Sequence, residues 1–452
     1  MSHSIEPLST ADQAIRHLEH TIELSNRNTS RETVEDEIEY PEGGFRAYLT
    51  VFGSFMGLIP AFGLLNAVGS IEAYVSSHQL SNVSTSTVSW IFSIYTFVTF
   101  CSQIFSGAFF DRNGSFKPML IGTIAFCGGL MITANSKTVF QFIMGFGLIT
   151  GFGNGMLAAP LVGVVSHYFN EKRGIATSIA TAGGSIGGIT MSIMLKELFT
   201  AVGFQWSLRI LSFFSLFCCL MALTFAKERF RQDNEPIKGW RSFIKVYFVD
   251  IVDFSSFKDL RFLLCSLGCA FAETSLVITG IYFPSYAIKR GFNEGVAYIL
   301  VTIINSTGVL GRYIPAYFAD KYLGRFNVCI VTISICAILL LTLWLPFGEH
   351  LKVLYTFAAL FGFFSGSILS LTPVCIGQIS RTEEFGKRYA TMYVVVSMLM
   401  LSGIPAAGGI IGNGNIQRYN WFIVYVSVLF GLGSLGYFGS RYISVGTKLI
   451  KF

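Results

Sequence analysis

The amino-acid sequence predicts an all-α membrane protein with twelve transmembrane helices arranged as two six-helix bundles. Three observations lead to this prediction. The 452-residue chain is 52% hydrophobic and 13% charged, whereas about a quarter of the residues of an average soluble domain are charged. Apolar runs long enough to cross a bilayer recur along the chain. Short motifs of the first half also reappear in the second half.

The apolar runs define the predicted helices. A helix needs about 20 apolar residues to cross roughly 30 Å of hydrocarbon. Each run is predicted to be a helix because an open strand or loop would leave its backbone unpaired in lipid. If two neighbouring runs merge, the count falls from twelve to ten or eleven. The predicted ranges are 47–71, 87–110, 118–135, 138–165, 174–198, 204–226, 260–286, 294–318, 326–347, 352–378, 389–411 and 420–441.

The basic residues of the loops predict the orientation of the helices. If the N-terminus is cytosolic, the inner loops carry 16 Lys and Arg residues and the outer loops carry 6. Lys and Arg concentrate in cytosolic loops of membrane proteins. Both termini are therefore predicted to lie in the cytosol.

Polar segments divide the chain into five predicted regions. Residues 1–45 are polar and mixed in charge with no apolar core, which predicts a disordered cytosolic tail and argues against a signal peptide. Residues 227–258 form the longest internal polar segment and are predicted to be a cytosolic central loop. This loop separates the predicted six-helix bundles 46–226 and 259–441. Residues 442–452 are predicted to be a cytosolic C-terminal tail.

Two pairs of similar motifs at the inner helix ends indicate an internal repeat. Asp111 near the end of the second span has a counterpart in Asp320, which lies 209 residues later. Arg173 at the start of the fifth span matches Arg388 at the start of the eleventh, 215 residues later. A repeat of half the chain is typical of duplicated bundles with a substrate path between them near the midplane.

The motif formed by Gly107, Asp111, Arg112 and Gly114 resembles the loop motif that follows the second helix in major facilitator transporters. In that family the charged residues latch the inner helix ends and release them as the halves rock. A glycine permits close helix contact, and charges at helix ends interact with dipoles and neighbours. The alternative is that these charges only anchor the helix ends. The gate implied by the resemblance comprises Gly107, Asp111, Arg112, Arg173, Asp320 and Arg388.

The segment 41–48, which reads PEGGFRAY, resembles the acidic-Gly-Gly-aromatic signature of the monocarboxylate porter-like family. Glycine-rich stretches at 151–155 and 183–188 extend the resemblance, which covers roughly residues 41–441. The amino-acid sequence around residues 42–48 and 204–206 is similar to that of the fungal branch, which includes plasma-membrane riboflavin transporters. The resemblance implies a plasma-membrane secondary transporter that works by alternating access.

Two charged residues lie deep within predicted spans, where charge is costly and marks candidate functional sites. Counting along the spans places Glu273 about 19 Å and Arg312 about 9 Å from the cytosolic face, which argues against an ion pair between them. Asn305, Gly308 and Arg312 share one face of the eighth helix. A guanidinium at the end of such a polar stripe can hold an anionic group of a substrate.

Other polar residues within the spans leave alternatives open. Glu273 either exchanges a proton during transport or stays protonated and only forms hydrogen bonds. Asn66 and Asn154 either bind the substrate or bond a neighbouring helix. Arg312 matches the arginine that monocarboxylate transporters carry on this helix, but Gly308 and Asn66 stand where many animal members have aspartate and lysine. These differences argue against lactate-type proton symport and are compatible with a larger, less charged substrate.

The predicted function is uptake of a small organic solute, with riboflavin the best match by resemblance and protons a candidate coupling ion. The alternatives are a proton-coupled transporter of short monocarboxylates and a non-transporting nutrient sensor. The sequence has no phosphate-binding loop and no His/Glu cluster, and its nine cysteines lie in apolar runs. Neither an enzyme, a metal site nor a cofactor is therefore expected. The modest net charge of +6 gives no indication of a nucleic-acid partner.

Overall fold

A computed structural model describes residues 41–169, 173–229, 239, 246–247, 251–380, 385–412 and 415–446. The side chains of residues 173 and 174 are outside this description. Most of the predicted N-terminal tail, most of the predicted central loop and residues 447–452 also lie outside it.

Twelve helices in the described residues are long and apolar enough to cross a membrane, which confirms the predicted all-α architecture. They are labelled α1 to α12 in chain order. Their bounds are α1 Phe45–Gln79, α2 Thr85–Asn113, α3 Phe116–Ala134, α4 Val139–His167, α5 Ile175–Ala201, α6 Gly203–Phe225, α7 Leu260–Lys289, α8 Glu294–Leu323, α9 Arg325–Phe347, α10 Leu351–Gln378, α11 Phe385–Ile411 and α12 Ile416–Val445.

Helices α1 and α8 extend farthest beyond their predicted ends, by eight and five residues, because polar side chains lower the hydropathy without ending the helix. Helix α1 continues beyond 71 and includes a π-helical turn at Val75–Gln79. Helix α8 continues beyond 318 through a π-helical turn at Ala319–Leu323. Both extensions matter for the site. Glu72 becomes part of α1, and Arg312 lies about 16 Å from the end of α8 at about 1.5 Å per residue. The predicted depth of about 9 Å was counted from residue 318, so Arg312 lies farther from the end of its helix than that count assumed.

The repeated motifs have a common backbone basis. Gly114 ends α2 with φ 82°, and Gly324 ends the extended α8 with φ 88°. Residues with a Cβ rarely adopt this left-handed region, whereas glycine does so at little cost. The same glycine stop thus terminates corresponding helices in the two halves.

Helices α1–α6 and α7–α12 pack in matching ways. Helix α2 packs on α4 as α8 packs on α10, and α1 packs on α6 as α7 packs on α12. Glycines permit these close approaches: a Cβ added at Gly155 would lie 2.6 Å from the Ser102 Cβ of α2, and one at Gly366 would lie 2.6 Å from the Gly308 carbonyl oxygen of α8. Small residues serve this purpose in lipid because helices there associate through close packing.

The two halves meet along α2 with α11, α5 with α8, and α1 with α7, and α1 also makes a smaller contact with α8. These contacts are called the seams. Twelve crossings return the chain to its starting side, so α1 begins and α12 ends at the same face. That face is called the terminal face, and the other is called the opposite face. The seams enclose the region in which a path between the halves must lie.

Candidate functional site

The seams are closed in the half of the molecule nearer the opposite face. On the α2–α11 seam, the Ser93 hydroxyl donates to the Leu401 carbonyl oxygen at 2.7 Å. On the α5–α8 side, the Lys196 side chain lies beside Gly295, where an added Cβ would be 3.1 Å from its Cε. His78 at the end of α1 lies 3.7 Å from the Glu294 carboxylate at the start of α8. These contacts join the two halves near the opposite face.

Glu72 is a functional candidate that the sequence analysis missed. Its side chain is 1% exposed. One carboxyl oxygen accepts a hydrogen bond from Ser76 at 2.7 Å on the same helix, and the other accepts one from Ser285 on α7. The predicted first span ended at 71, which placed Glu72 in a loop. Gly69 packs on α7, and residues three apart share a helix face, so Glu72 also faces α7. The sequence alone did not show this contact.

Asn66 and Asn305 meet where α1, α5 and α8 come together. The Asn66 amide donates to the Gly184 carbonyl oxygen at 3.1 Å, and the Asn305 amide donates to the Asn66 carbonyl oxygen at 3.4 Å. A Cβ added at Gly188 would lie 2.8 Å from the Asn66 Cβ and 2.9 Å from the Asn305 side chain. Both asparagines therefore bond neighbouring helices, and Asn305 joins the two halves.

The polar stripe predicted on α8 faces more than one neighbour. Asn305 points to α1 and α5, whereas Gly308 packs on the backbone of α10. Arg312 is partly exposed, and its buried Nε atom has no hydrogen-bond partner. Next to it, the Tyr313 hydroxyl donates to the Ser178 carbonyl oxygen at 2.7 Å, which joins α8 to α5. Arg312 thus lies beside a seam with donor capacity to spare.

Glu273 lies inside the second half and is fully buried. Its Oε1 atom accepts hydrogen bonds from the Tyr393 hydroxyl at 3.2 Å and the Cys269 thiol at 3.4 Å, and its Oε2 atom has no partner. In the described part of the chain, no ion pair within 4.0 Å joins Glu273 to Arg312. The unpaired oxygen leaves one acceptor for another group.

Asn154 on α4 is fully buried in the first half. Its amide donates to the Tyr95 hydroxyl of α2 at 2.7 Å, while its Oδ1 atom has no partner. No contact with Asn66, Asn305, Glu273 or Arg312 is found for it among the described residues. Asn154 therefore bonds a helix of its own half.

The predicted gate residues of the first half lie at the terminal face. A Cβ added at Gly107 would meet only the Ala159 Cβ, at 3.8 Å. The close contact between α2 and α4 is therefore not at Gly107. It lies at Gly155 of α4, one turn before Ala159. Asp111 is exposed and Arg112 is partly exposed, and Asp111 forms no ion pair within 4.0 Å in the described residues. The helical backbone of α5 begins two residues before the span, at Arg173. The side chain of Arg173 is outside the described part.

The predicted gate residues of the second half form ion pairs within that half. Arg325 donates to Asp320 at 2.9 Å across the turn between α8 and α9. Arg388 on α11 lies 3.6 Å from Asp259, which caps the start of α7 by accepting from the Arg261 backbone at 3.1 Å. Burial acts to raise the pKa of Asp259, but hydrogen bonds from Arg261 and the charges of both arginines outweigh it, so that pKa is lowered. These pairs join elements of one half.

Comparisons with known proteins agree with this architecture. Residues 45–350 match the family model of the Major Facilitator Superfamily. The chain is 43% identical over 433 residues to the riboflavin transporter MCH5 of Saccharomyces cerevisiae, covering 93% of this chain and 83% of that protein. It is 33% identical to the MFS-type transporter opdF of Penicillium oxalicum, covering 88% and 90% of the two chains.

A solved structure supports the fold alone. The nucleoside transporter NupG, crystallised as a mutant, aligns with a TM-score of 0.66 at 14% identity, covering 87% of this chain and 99% of that chain. The family model matches more than half of the present chain, and relatives above 30% identity align over most of it. The protein belongs to the major facilitator superfamily and is a multi-pass membrane transporter of a small molecule.

Proposed function

We propose that the protein is a plasma-membrane carrier that takes up riboflavin by alternating access and leaves the solute chemically unchanged. The observation that carries the substrate assignment is the 43% identity to the riboflavin transporter MCH5 over 93% of this chain. The large aromatic content, with 44 Phe and 19 Tyr, also suits a flat aromatic solute.

The positions of the seam contacts support alternating access. With 16 basic residues in one set of loops and 6 in the other, the terminal face is assigned to the cytosol, so both termini are cytosolic. The contacts Ser93–Leu401 and Glu72–Ser285 then close the extracellular side. Uptake requires these contacts to break when the solute enters and to form again before its release.

Arg312 and Glu273 are the proposed substrate or coupling residues. Arg312 has an unpaired guanidinium Nε beside the α5–α8 seam, and Glu273 has an unpaired carboxyl oxygen next to Tyr393. A guanidinium donates to carbonyl or anionic oxygens, and a carboxyl group accepts from N–H and O–H groups. Glu273 is also the proposed proton carrier if transport is proton-coupled, since a buried carboxyl group can bind and release a proton.

The remaining candidates are given structural roles. Asn66, Asn305 and Asn154 hold helices together through the hydrogen bonds described above and shape the path between the halves. Gly107, Asp111, Arg112, Arg173, Asp320 and Arg388 act at the cytosolic helix ends, where the ion pairs of Asp320 and Arg388 hold the second half together as it moves.

Uptake by cells that lack their own riboflavin and monocarboxylate carriers tests the proposal. Cells that express this chain are given radiolabelled riboflavin or radiolabelled pyruvate. We expect saturable riboflavin uptake that excess unlabelled riboflavin suppresses and excess pyruvate does not. Pyruvate uptake without riboflavin uptake would instead assign a monocarboxylate carrier. Surface expression with neither uptake would favour a sensor.

A further inference from the structure

One stacked aromatic pair lies across the α2–α11 seam. The rings of Phe100 on α2 and Tyr393 on α11 have centroids 5.4 Å apart and planes 25° apart. Both side chains are partly exposed. By comparison, Tyr95 and Phe146, which pair inside the first half, are at most 1% exposed. The Phe100–Tyr393 pair therefore joins two bodies that move apart, and part of its ring surface is uncovered.

The described hydrogen bonds of this seam lie beside the pair and toward the opposite face. Coming from the opposite face, the seam is closed by Ser93 with Leu401 and then by the Cys101 thiol, which donates to the Ser397 hydroxyl at 3.5 Å. Toward the terminal face, each helix also contacts described residues of the predicted central loop. Asn113 of α2 donates to the Tyr247 hydroxyl at 2.7 Å.

The predicted central loop, residues 227–258, also contacts α11. There the Asp253 backbone N–H donates to the Thr391 hydroxyl at 2.9 Å. Both helices of the seam thus contact described residues of the central loop toward the terminal face.

Unused hydrogen-bonding capacity lies directly behind the pair. The Tyr393 hydroxyl donates to Glu273 Oε1 at 3.2 Å and accepts from the Tyr389 hydroxyl at 3.4 Å. Glu273 Oε2 is buried without a partner. A buried acceptor without a donor is unfavourable unless a ligand or water supplies one. A flat heteroaromatic ring with an N–H at its edge has both features that this arrangement lacks: a face for the rings and a donor for the carboxyl oxygen.

We propose that Phe100 and Tyr393 form the binding platform for the planar ring system of the solute, with Glu273 accepting a hydrogen bond from an N–H at the ring edge. This inference rests on the proposed function, because the isoalloxazine ring of riboflavin is planar and carries an imide N–H between two carbonyl groups. Stacking of a heteroaromatic ring on an aromatic side chain is tolerant of position but requires an aromatic partner. The platform couples binding of the solute to movement of one half relative to the other, because its two rings belong to different halves.

Four variants test the platform in the uptake assay. Phe100→Leu and Tyr393→Leu remove a ring, Phe100→Tyr keeps one, and Tyr393→Phe keeps the ring but loses the donor to Glu273. We expect KM for riboflavin to rise roughly tenfold in each leucine variant. Phe100→Tyr should remain near the wild-type KM, and Tyr393→Phe should fall in between.

Phe438→Leu is the matched control. Phe438 also stacks on a tyrosine, Tyr442, at 6.3 Å, but both residues are on α12 and are exposed. Its KM should equal that of the wild type. Surface abundance is measured for every variant, so that a folding defect is recognised by lost protein at unchanged KM.

A competition experiment reports on the ring itself. Lumichrome contains the tricyclic ring without the ribityl chain, and ribitol resembles the chain without the ring. Lumichrome should inhibit uptake by the wild type and lose most of its potency against Phe100→Leu. Ribitol should inhibit the wild type and Phe100→Leu equally. Equal lumichrome inhibition and unchanged KM in both leucine variants, with normal wild-type uptake, would overturn the platform and leave the proposed function standing. Absence of riboflavin uptake by the wild type would overturn both.

Discussion

The Glu72 carboxyl group of α1 accepts a hydrogen bond from the Ser285 hydroxyl of α7, so a buried acidic side chain joins the two halves of the transporter. The neighbouring backbones are also in close contact, since a Cβ added at Gly69 would collide with the Gly280 carbonyl oxygen. This contact closes the side opposite to the termini.

Loss of the Ser285 hydroxyl should shift the protein toward the state that is open at the opposite face. Removing one partner of a buried hydrogen bond costs about 1–3 kcal/mol, and the contact exists only while that face is closed. In a Ser89→Cys reporter background, Ser285→Ala should increase labelling by a membrane-impermeant maleimide several-fold. Ser76→Ala is the control, because it removes the hydrogen bond within α1 only. Equal labelling in the two variants would contradict the role of this contact.

A pair of glycine substitutions controls for side-chain chemistry in the same assay. Gly69→Ala places a methyl group against the backbone of α7, whereas a Cβ at Gly280 meets nothing within 4 Å. We therefore expect labelling to increase in Gly69→Ala and to stay unchanged in Gly280→Ala.

Arg312→Ala should abolish uptake while surface abundance stays normal. The residue is partly exposed beside the α5–α8 seam, and no ion pair of its guanidinium is found in the described structure, so its loss leaves no described acidic partner unpaired. Arg209→Ala is the matched control, because Arg209 lies over the Trp206 ring and donates to Asn135. Normal uptake by Arg312→Ala would refute a role for the guanidinium in binding or gating.

Glu273→Gln should remove the pH dependence of uptake if transport is coupled to protons through this residue. The substitution keeps one acceptor oxygen for Tyr393, replaces the other oxygen with an NH2 group and removes the ability to gain and lose a proton. The pH profile, rather than the rate of uptake, therefore reports on proton coupling. Uptake is measured from pH 5 to 8 in the variant and the wild type. A pH profile that survives the substitution would show that Glu273 is not the proton carrier.

Asp259 should stabilise the folded protein above about pH 4 and lose this effect at lower pH. Its pKa is lowered in the folded state, and an unperturbed aspartate has a pKa of about 3.9. A lowered pKa means that the folded state binds its proton less readily, so the stabilisation is present above the unfolded pKa and disappears as the pH falls through the folded one.

Thermal unfolding of purified protein in detergent measures this contribution. Asp259→Ala removes the cap of α7 and the partner of Arg388, and should cost about 1–2 kcal/mol at pH 7. Asp259→Asn keeps the cap and should cost less. Asp320→Asn, at an exposed pair with Arg325, should cost under about 1 kcal/mol. An Asp259→Ala protein as stable as the wild type at pH 7 would refute this role.

The helices and their repeat were predictable because both depend on local sequence. Hydropathy located all twelve spans, since crossing lipid demands a long apolar run. The repeated glycine stops at Gly114 and Gly324 were visible as sequence motifs. Hydropathy failed at Glu72 and in the turn after Phe318, because a helix can continue through polar residues that neighbouring helices or water accommodate.

The side-chain partners within the site were not predictable, since they come from distant parts of the chain. Glu273 and Tyr393 are separated by 120 residues, and Asn66 and Gly184 by 118. With 44 phenylalanines and 19 tyrosines in the chain, nothing local marks Phe100 and Tyr393 as the pair that stacks across a seam.

A reversible cross-link across the α2–α11 seam tests the central claim most directly, which is that transport requires the halves to separate at the opposite face. Ser86 and Gly409 suit this purpose, because a Cβ added at Gly409 would lie 3.7 Å from the Ser86 Oγ atom. Riboflavin uptake is measured in the Ser86→Cys/Gly409→Cys double variant after oxidation and again after reduction. We predict that oxidation abolishes uptake and that reduction restores it, with both single variants unaffected. Continued uptake by fully cross-linked protein would contradict alternating access through this seam.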